Sequence, residues 1–88
     1  MIPGPAQWRR FQNFATQRLA FLGRRVNENL QLYQDLARRP SARTRDRRRN
    51  FQLNAARFEQ MRLIMQAIRR DRAEMVQFIR RLLNIEPM

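Results

Sequence analysis

Apolar residues return every three or four positions through the first half of the chain: Trp8, Phe11, Ala15, Leu19, Leu22, Val26, Leu30, Tyr33 and Ala37. Their mean spacing is about 3.6 residues, the period of an α-helix, which predicts a helix over about 5–38. Pro5 suits its first position, where the N–H it lacks would have no helical partner, and Gly4 is a tolerable cap. Pro40 biases Arg39 away from helical backbone, so the helix should end near Arg38. Gly23 costs roughly 1 kcal/mol against alanine and marks a place for a bend or a close approach without breaking the helix.

Phe14, Phe21, Leu32 and Leu36 fall to one side of that stripe. With it they cover about half the helix circumference, wider than the ~100° arc that one core-facing side needs. The extra width predicts a second neighbour, either another chain or a bend in this one.

Beyond Pro40, Ser41 is a candidate N-cap for a second helix over about 42–84. Phe51, Phe58, Met65 and Ile79 recur at sevenfold spacing, with Arg72 in the remaining place. Asn54, Met61, Ile68, Met75 and Leu82 form the matching series, and Ile64, Val76 and Leu83 widen the stripe. This is an a/d pattern broken by Asn54 and Arg72. Two long helices joined by a short connector around Arg39 to Ser41 imply one all-α domain over 1–88, a long antiparallel helical hairpin. Such a hairpin encloses no core, so each helix keeps an apolar flank and the fold should dock on partners.

The 88 residues are 43% hydrophobic, unlike a disordered tail, but a chain this short is only marginally stable alone. It has no cysteine and no histidine, which excludes disulfides and thiolate metal sites and removes the commonest general base and metal ligand. Of seven acids only Asp71 and Glu74 share a helical neighbourhood, where they read as surface partners of Arg70 or Arg72. Ser41 is the sole serine, and Gly4 and Gly23, the only glycines, cannot build a phosphate cradle. The expectation is a protein that is no enzyme, with no cofactor, metal or small-molecule substrate.

Charge changes the picture most. All 19 basic residues are arginine, against seven acids, for a net +12. The guanidinium fork matches phosphate bidentately. The arginines concentrate at the hairpin tip: Arg38, Arg39, Arg43, Arg45, Arg47, Arg48 and Arg49 are seven of twelve consecutive residues, with Asp46 the only acid among them. No apolar residue larger than alanine or proline occurs there before Phe51, so the stretch has nothing of its own to bury against. A polyanion would relieve the repulsion between these charges and release its condensed counterions. Ser41, Thr44 and Asn50 add neutral donors for phosphate oxygens. The pairs Arg9-Arg10 and Arg24-Arg25 are secondary basic contacts, ~22 Å apart along the helix, suited to successive backbones of folded RNA. Trp8 and the phenylalanines lie on the helical stripe and read as core rather than as base-stacking platforms.

No apolar run is long enough to span a bilayer, and Arg9, Arg10 and Arg18 interrupt any secretory core. Up to Glu28 there is no acid but there are five arginines among large apolar residues, the composition of a mitochondrial targeting segment without its serines.

The tip resembles, over about a dozen residues and in composition, the arginine-rich RNA-binding helices of viral regulatory and phage antitermination proteins. Leu32-Tyr33-Gln34, with Phe51 downstream and Arg80-Arg81-Leu82 near the end, resembles a degenerate form of the mitochondrial LYR-motif proteins. That family has arginine where Gln34 stands and a longer gap before the phenylalanine. The resemblance implies a small helical subunit docking an acylated carrier protein. The residues themselves lead to a structural RNA-binding subunit of a large ribonucleoprotein, with a mitochondrial ribosome as the first expectation. Its partners would be rRNA or other structured RNA and neighbouring subunits. A supernumerary subunit of a mitochondrial membrane complex (ATP synthase or respiratory chain), binding acidic neighbours or cardiolipin, is the alternative. A viral or phage nucleic-acid-packaging protein ranks third.

Overall fold

The computed structural model describes residues 4–83, which form two α-helices, α1 (Pro5–Arg38) and α2 (Arg47–Leu82), packed as an antiparallel hairpin. Both ends of α1 follow from proline. Pro5 stands at its first turn behind an extended Gly4, whose carbonyl accepts from the Trp8 N–H at 2.9 Å. Arg39, ahead of Pro40, is extended (φ −63°, ψ 134°) and stops the helix.

The second helix starts at Arg47, later than the expected 42, and its N-cap is Asp46, not Ser41. The Asp46 carboxylate accepts from the Arg48 and Arg49 backbone N–H groups at 3.0 and 3.2 Å. Residues 42–44 are diverted from helix by two asparagines of α2. Asn54 Oδ1 accepts from the Ala42 N–H at 2.9 Å. Asn50 brackets Thr44, its Oδ1 accepting from the Thr44 N–H at 2.8 Å and its Nδ2 donating to the Thr44 carbonyl at 2.9 Å. The connector is therefore residues 39–46, longer than the expected Arg39 to Ser41. The expected end at Asn84 lies outside the described residues; α2 runs to Leu82, and the Leu83 N–H closes on the Ile79 carbonyl at 2.9 Å.

The hairpin is a rod of 68 × 22 × 14 Å with a radius of gyration of 19.9 Å, where a compact 100-residue domain would have about 13 Å. Among the described residues the buried apolar ones are only Ala15, Leu22, Val26, Leu36 and Ile68. Tertiary burial is consequently thin.

The seam differs from its sequence pattern by one position in each helix. In α1, Trp8, Ala15, Leu22, Asn29 and Leu36 are buried or half-buried at sevenfold spacing (position a), with Phe11, Arg18 and Arg25 at d and Leu19, Val26 and Tyr33 at e. Leu30 and Ala37, expected in the stripe, are exposed, while Leu36 is buried. The buried repeat is 3.5 residues, not 3.6, and the difference accumulates to one position over the length of α1. In α2, Asn54, Met61, Ile68, Met75 and Leu82 do form one line of the seam. The other line is Asn50, Arg57, Ile64, Asp71 and Phe78, rather than the series from Phe51, so Phe51, Phe58 and Ile79 stay exposed. Phe14 and Phe21 are exposed too, and the expectation that the phenylalanines are core holds only for the half-buried Phe11 and Phe78, which pack on each other, with Phe11 also against Trp8.

Charge accounts for the choice. Arg18 and Arg25 occupy the seam side of α1, and a seam through Arg72 would face them with a third cation. The adopted seam gives them carboxylates. Arg25 donates from Nε and Nη2 to both oxygens of Asp71, at 2.6 and 2.5 Å, and Arg18 grips Glu74 in the same two-pronged way at 3.1 and 3.2 Å. Asp71 and Glu74 are thus bridges between helices, not the surface partners of Arg70 or Arg72 expected from their spacing. Asp71 is only 1% exposed, and the Arg25 hydrogen bond holds its carboxyl below the ordinary carboxylate range against the opposing push of burial.

Gly23 lies within an unbroken helix, and a Cβ built there meets only the Met75 Cε, at 3.9 Å, an ordinary contact. No close approach requires glycine. Gly23→Ala is therefore expected to stabilise the hairpin by roughly 0.5–1 kcal/mol, read as a higher midpoint in urea with an unchanged slope. A lower midpoint would mean that the position needs glycine.

Candidate nucleic-acid interface

Three kinds of backbone carry the seven tip arginines. Arg38 ends α1, where a cation suits the negative end of the helix. Arg39, Arg43 and Arg45 belong to the connector, and Arg47, Arg48 and Arg49 open α2. All seven are exposed, and among the described residues none is paired with a carboxylate. Asp46, the one acid nearby, has its carboxylate on the Arg48 and Arg49 backbone N–H groups.

The connector's own polar side chains hold it in shape. Thr44 and Asn50, expected to serve phosphate, are bonded to each other, with the Thr44 hydroxyl 2.7 Å from Asn50 Oδ1. Arg57 donates to the carbonyls of Arg39 and Pro40, the first two residues of the connector, and so fixes the chain where it leaves α1. The Arg57 guanidinium also lies 5.3 Å from the centre of the Phe58 ring. Arg57 is absent from the candidates that the sequence offers. The signal was there, because Arg57 stands three residues after Asn54 at a legitimate seam position, but the exposed phenylalanine beside it was the more conspicuous choice. Together Asn50, Asn54, Asp46 and Arg57 make a preorganised platform for exposed arginines. Such a platform can bind phosphate groups without first ordering the chain.

The secondary arginines are not brought to the tip. Arg9 and Arg10 are exposed but lie ~42 Å from Arg38 along α1. Arg24 is exposed about halfway between. Arg25, expected beside it as a basic contact, is instead bound to Asp71 inside the hairpin. It belongs to the seam because it is one heptad from Arg18.

Among the described residues no carboxylates gather into a site: Asp71 and Glu74 are each tied to an arginine of α1, and Glu59 to Arg62. Among the described residues no group of three or more acids, histidines or cysteines could hold a metal ion, and no helix is long and apolar enough to cross a membrane. Comparison with protein-family models, with curated proteins and with solved structures gave no match to this chain.

Proposed function

We propose that the chain is a structural RNA-binding subunit of a large ribonucleoprotein, and within that class a mitochondrial ribosomal protein whose tip sits on rRNA phosphates. One observation carries the reading. Seven exposed arginines without carboxylate partners stand on a connector fixed by its own side chains, at one end of a rod. A charge run that merely solubilised the protein would need no such scaffold. The acid-free segment before Glu28 supports the mitochondrial assignment. The exposed apolar side chains of both helices support docking on neighbouring subunits.

Nuclease treatment of the native particle on a density gradient tests the class of assembly. RNase is expected to release the chain to the top of the gradient. A chain that stays in a large particle which only detergent disperses would instead be a peripheral subunit of a mitochondrial membrane complex, with acidic neighbours or cardiolipin on the arginines.

A further inference from the structure

The seam leaves a second set of apolar residues on one side of the hairpin. In heptad terms these are positions b and e. They are Leu19, Val26, Leu30 and Tyr33 on α1, and Phe51, Phe58, Met65, Val76 and Ile79 on α2. The antiparallel register set by Arg25 opposite Asp71 places Leu19 within one helical turn of Ile79, Val26 of Arg72, and Tyr33 of Met65. Between Tyr33, Phe58, Met61 and Met65 the flank opens into a groove of about 540 Å³, edged by Arg62 and Arg69. Phe58 is 59% and Phe51 75% exposed, and the e series of α2 extends ~42 Å from Phe51 to Ile79. A concave apolar strip with a seven-residue repeat is the complement of one more helix of the same repeat.

The charges on this strip identify the helix. Between the levels of Phe51 and Ile79, the charged residues at positions b and e of both helices are Arg62, Arg69 and Arg72, with no acid. Arg62 is held by Glu59, whereas Arg69 and Arg72 have no carboxylate partner among the described residues. Arg72 stands within the apolar series itself, level with the ion-paired Arg25–Asp71 layer. We infer that this flank seats an amphipathic helix of a partner protein, apolar along one seam, acidic along its borders, and carrying one carboxylate within the seam to meet Arg72.

A second copy of this chain fits poorly, because its flank would set Arg69 and Arg72 against their own kind and join two chains of +12 each. A lipid surface fits poorly too. It would have to accept a grooved face with Arg72 in the middle of its apolar series rather than at an edge. The inference deepens the docking part of the proposed function, and the tip arginines take no part in it.

The test uses the full chain and synthetic helical peptides of about four heptads with a leucine seam. One has glutamate borders and a glutamate in the seam at the Arg72 level, the second has leucine at that place, and the third has lysine borders. Binding is read by fluorescence anisotropy. The first peptide is expected to bind tighter than the second by on the order of tenfold, and the third not to bind. Arg72→Leu should reverse the order of the first two. Phe58→Glu, at an exposed position, should abolish binding of both while circular dichroism stays as in the native chain.

An order of preference that Arg72→Leu leaves unchanged overturns the inference, as does native-like peptide binding by Phe58→Glu. Two further results also overturn it. One is a dimer in sedimentation equilibrium that Phe58→Glu dissociates, making the occupant a second copy. The other is binding to phosphatidylglycerol–phosphatidylcholine vesicles, lost in Phe58→Glu, with no peptide bound. A chain with Arg47, Arg48 and Arg49 replaced by glutamine should bind the peptides normally, so failure of the RNA reading and failure of this one are separable.

Discussion

Arg25→Met is expected to unfold most of the isolated hairpin at neutral pH. Methionine keeps the bulk and the apolar stem of the arginine, so the change removes little more than the charge and its two hydrogen bonds. It leaves the Asp71 carboxylate, 1% exposed, without its cation. The stranded carboxylate is destabilising because its desolvation is no longer compensated, although the half-exposed position of Arg25 lets water soften that loss. A rod with five buried apolar residues among the described ones has little stability to lose. Circular dichroism should show the helical signal largely gone. Replacing both partners, Arg25→Met with Asp71→Leu, should restore it, because a packed apolar pair of similar volume substitutes well for a buried ion pair. Native-like melting of the single variant would show that the pair contributes nothing. Acid provides a second reading. The Asp71 carboxyl titrates lower in the folded chain than in the unfolded one, so its contribution is complete above the unfolded value of about 3.9 and is lost as pH falls through the folded value. The native hairpin should weaken below about pH 4, and the double variant should be spared that loss.

Replacing Arg47, Arg48 and Arg49 together by glutamine should move stability and RNA binding in opposite directions. The first turn of α2 contains no acid, and these three cations face the positive end of the helix. Removing them relieves that repulsion and the crowding within the tip, so Tm is expected to rise by about 4 °C or more. Under the proposed function, RNA binding would lose three phosphate contacts. The slope of log K against log salt should shrink by about 2–3, and affinity at 0.15 M salt should fall about a hundredfold. The opposition is the discriminating feature. A tip serving only solubility would gain stability and keep its weak, shallow-sloped RNA binding. An unchanged slope would remove the tip from the interface, and the same loss on changing Arg9 and Arg10 instead would mean that charge alone binds, wherever it sits.

The limits of α1 were legible because proline acts locally: Pro5 and Pro40 restrict the backbone whatever packs on it. The start of α2 was not. Ser41 and Asp46 are both competent caps, and Asp46 prevails because Asn50 and Asn54, a turn and more into the next helix, hold residues 42–44 out of helical form. The seam was half legible. The Asn54 series can pair with Phe51, Phe58, Met65, Arg72 and Ile79 or with Asn50, Arg57, Ile64, Asp71 and Phe78, and both alternate by three and four. Counting apolar residues favours the first. The second wins through Arg18 and Arg25, which belong to the other helix, so no inspection of α2 alone could find it. The tip arginines needed only their density to be noticed, whereas Arg57, an internal brace, needed the path of the connector.

The two legitimate seams of α2 also bear on how well determined the native state is. They differ by a turn of only about 50° about the helix axis and share Met61, Ile68, Met75 and Leu82. Hydrophobicity alone would leave the chain with two nearly degenerate packings. Arg25–Asp71 opens a gap between them, because the rotated packing would strand Asp71 and bring Arg72 toward Arg18 and Arg25. The pair then matters less for the depth of the native basin than for its singularity. The double apolar variant is accordingly expected to keep its helices and its melting temperature but give broadened side-chain NMR signals, as a hairpin that is stable without being unique.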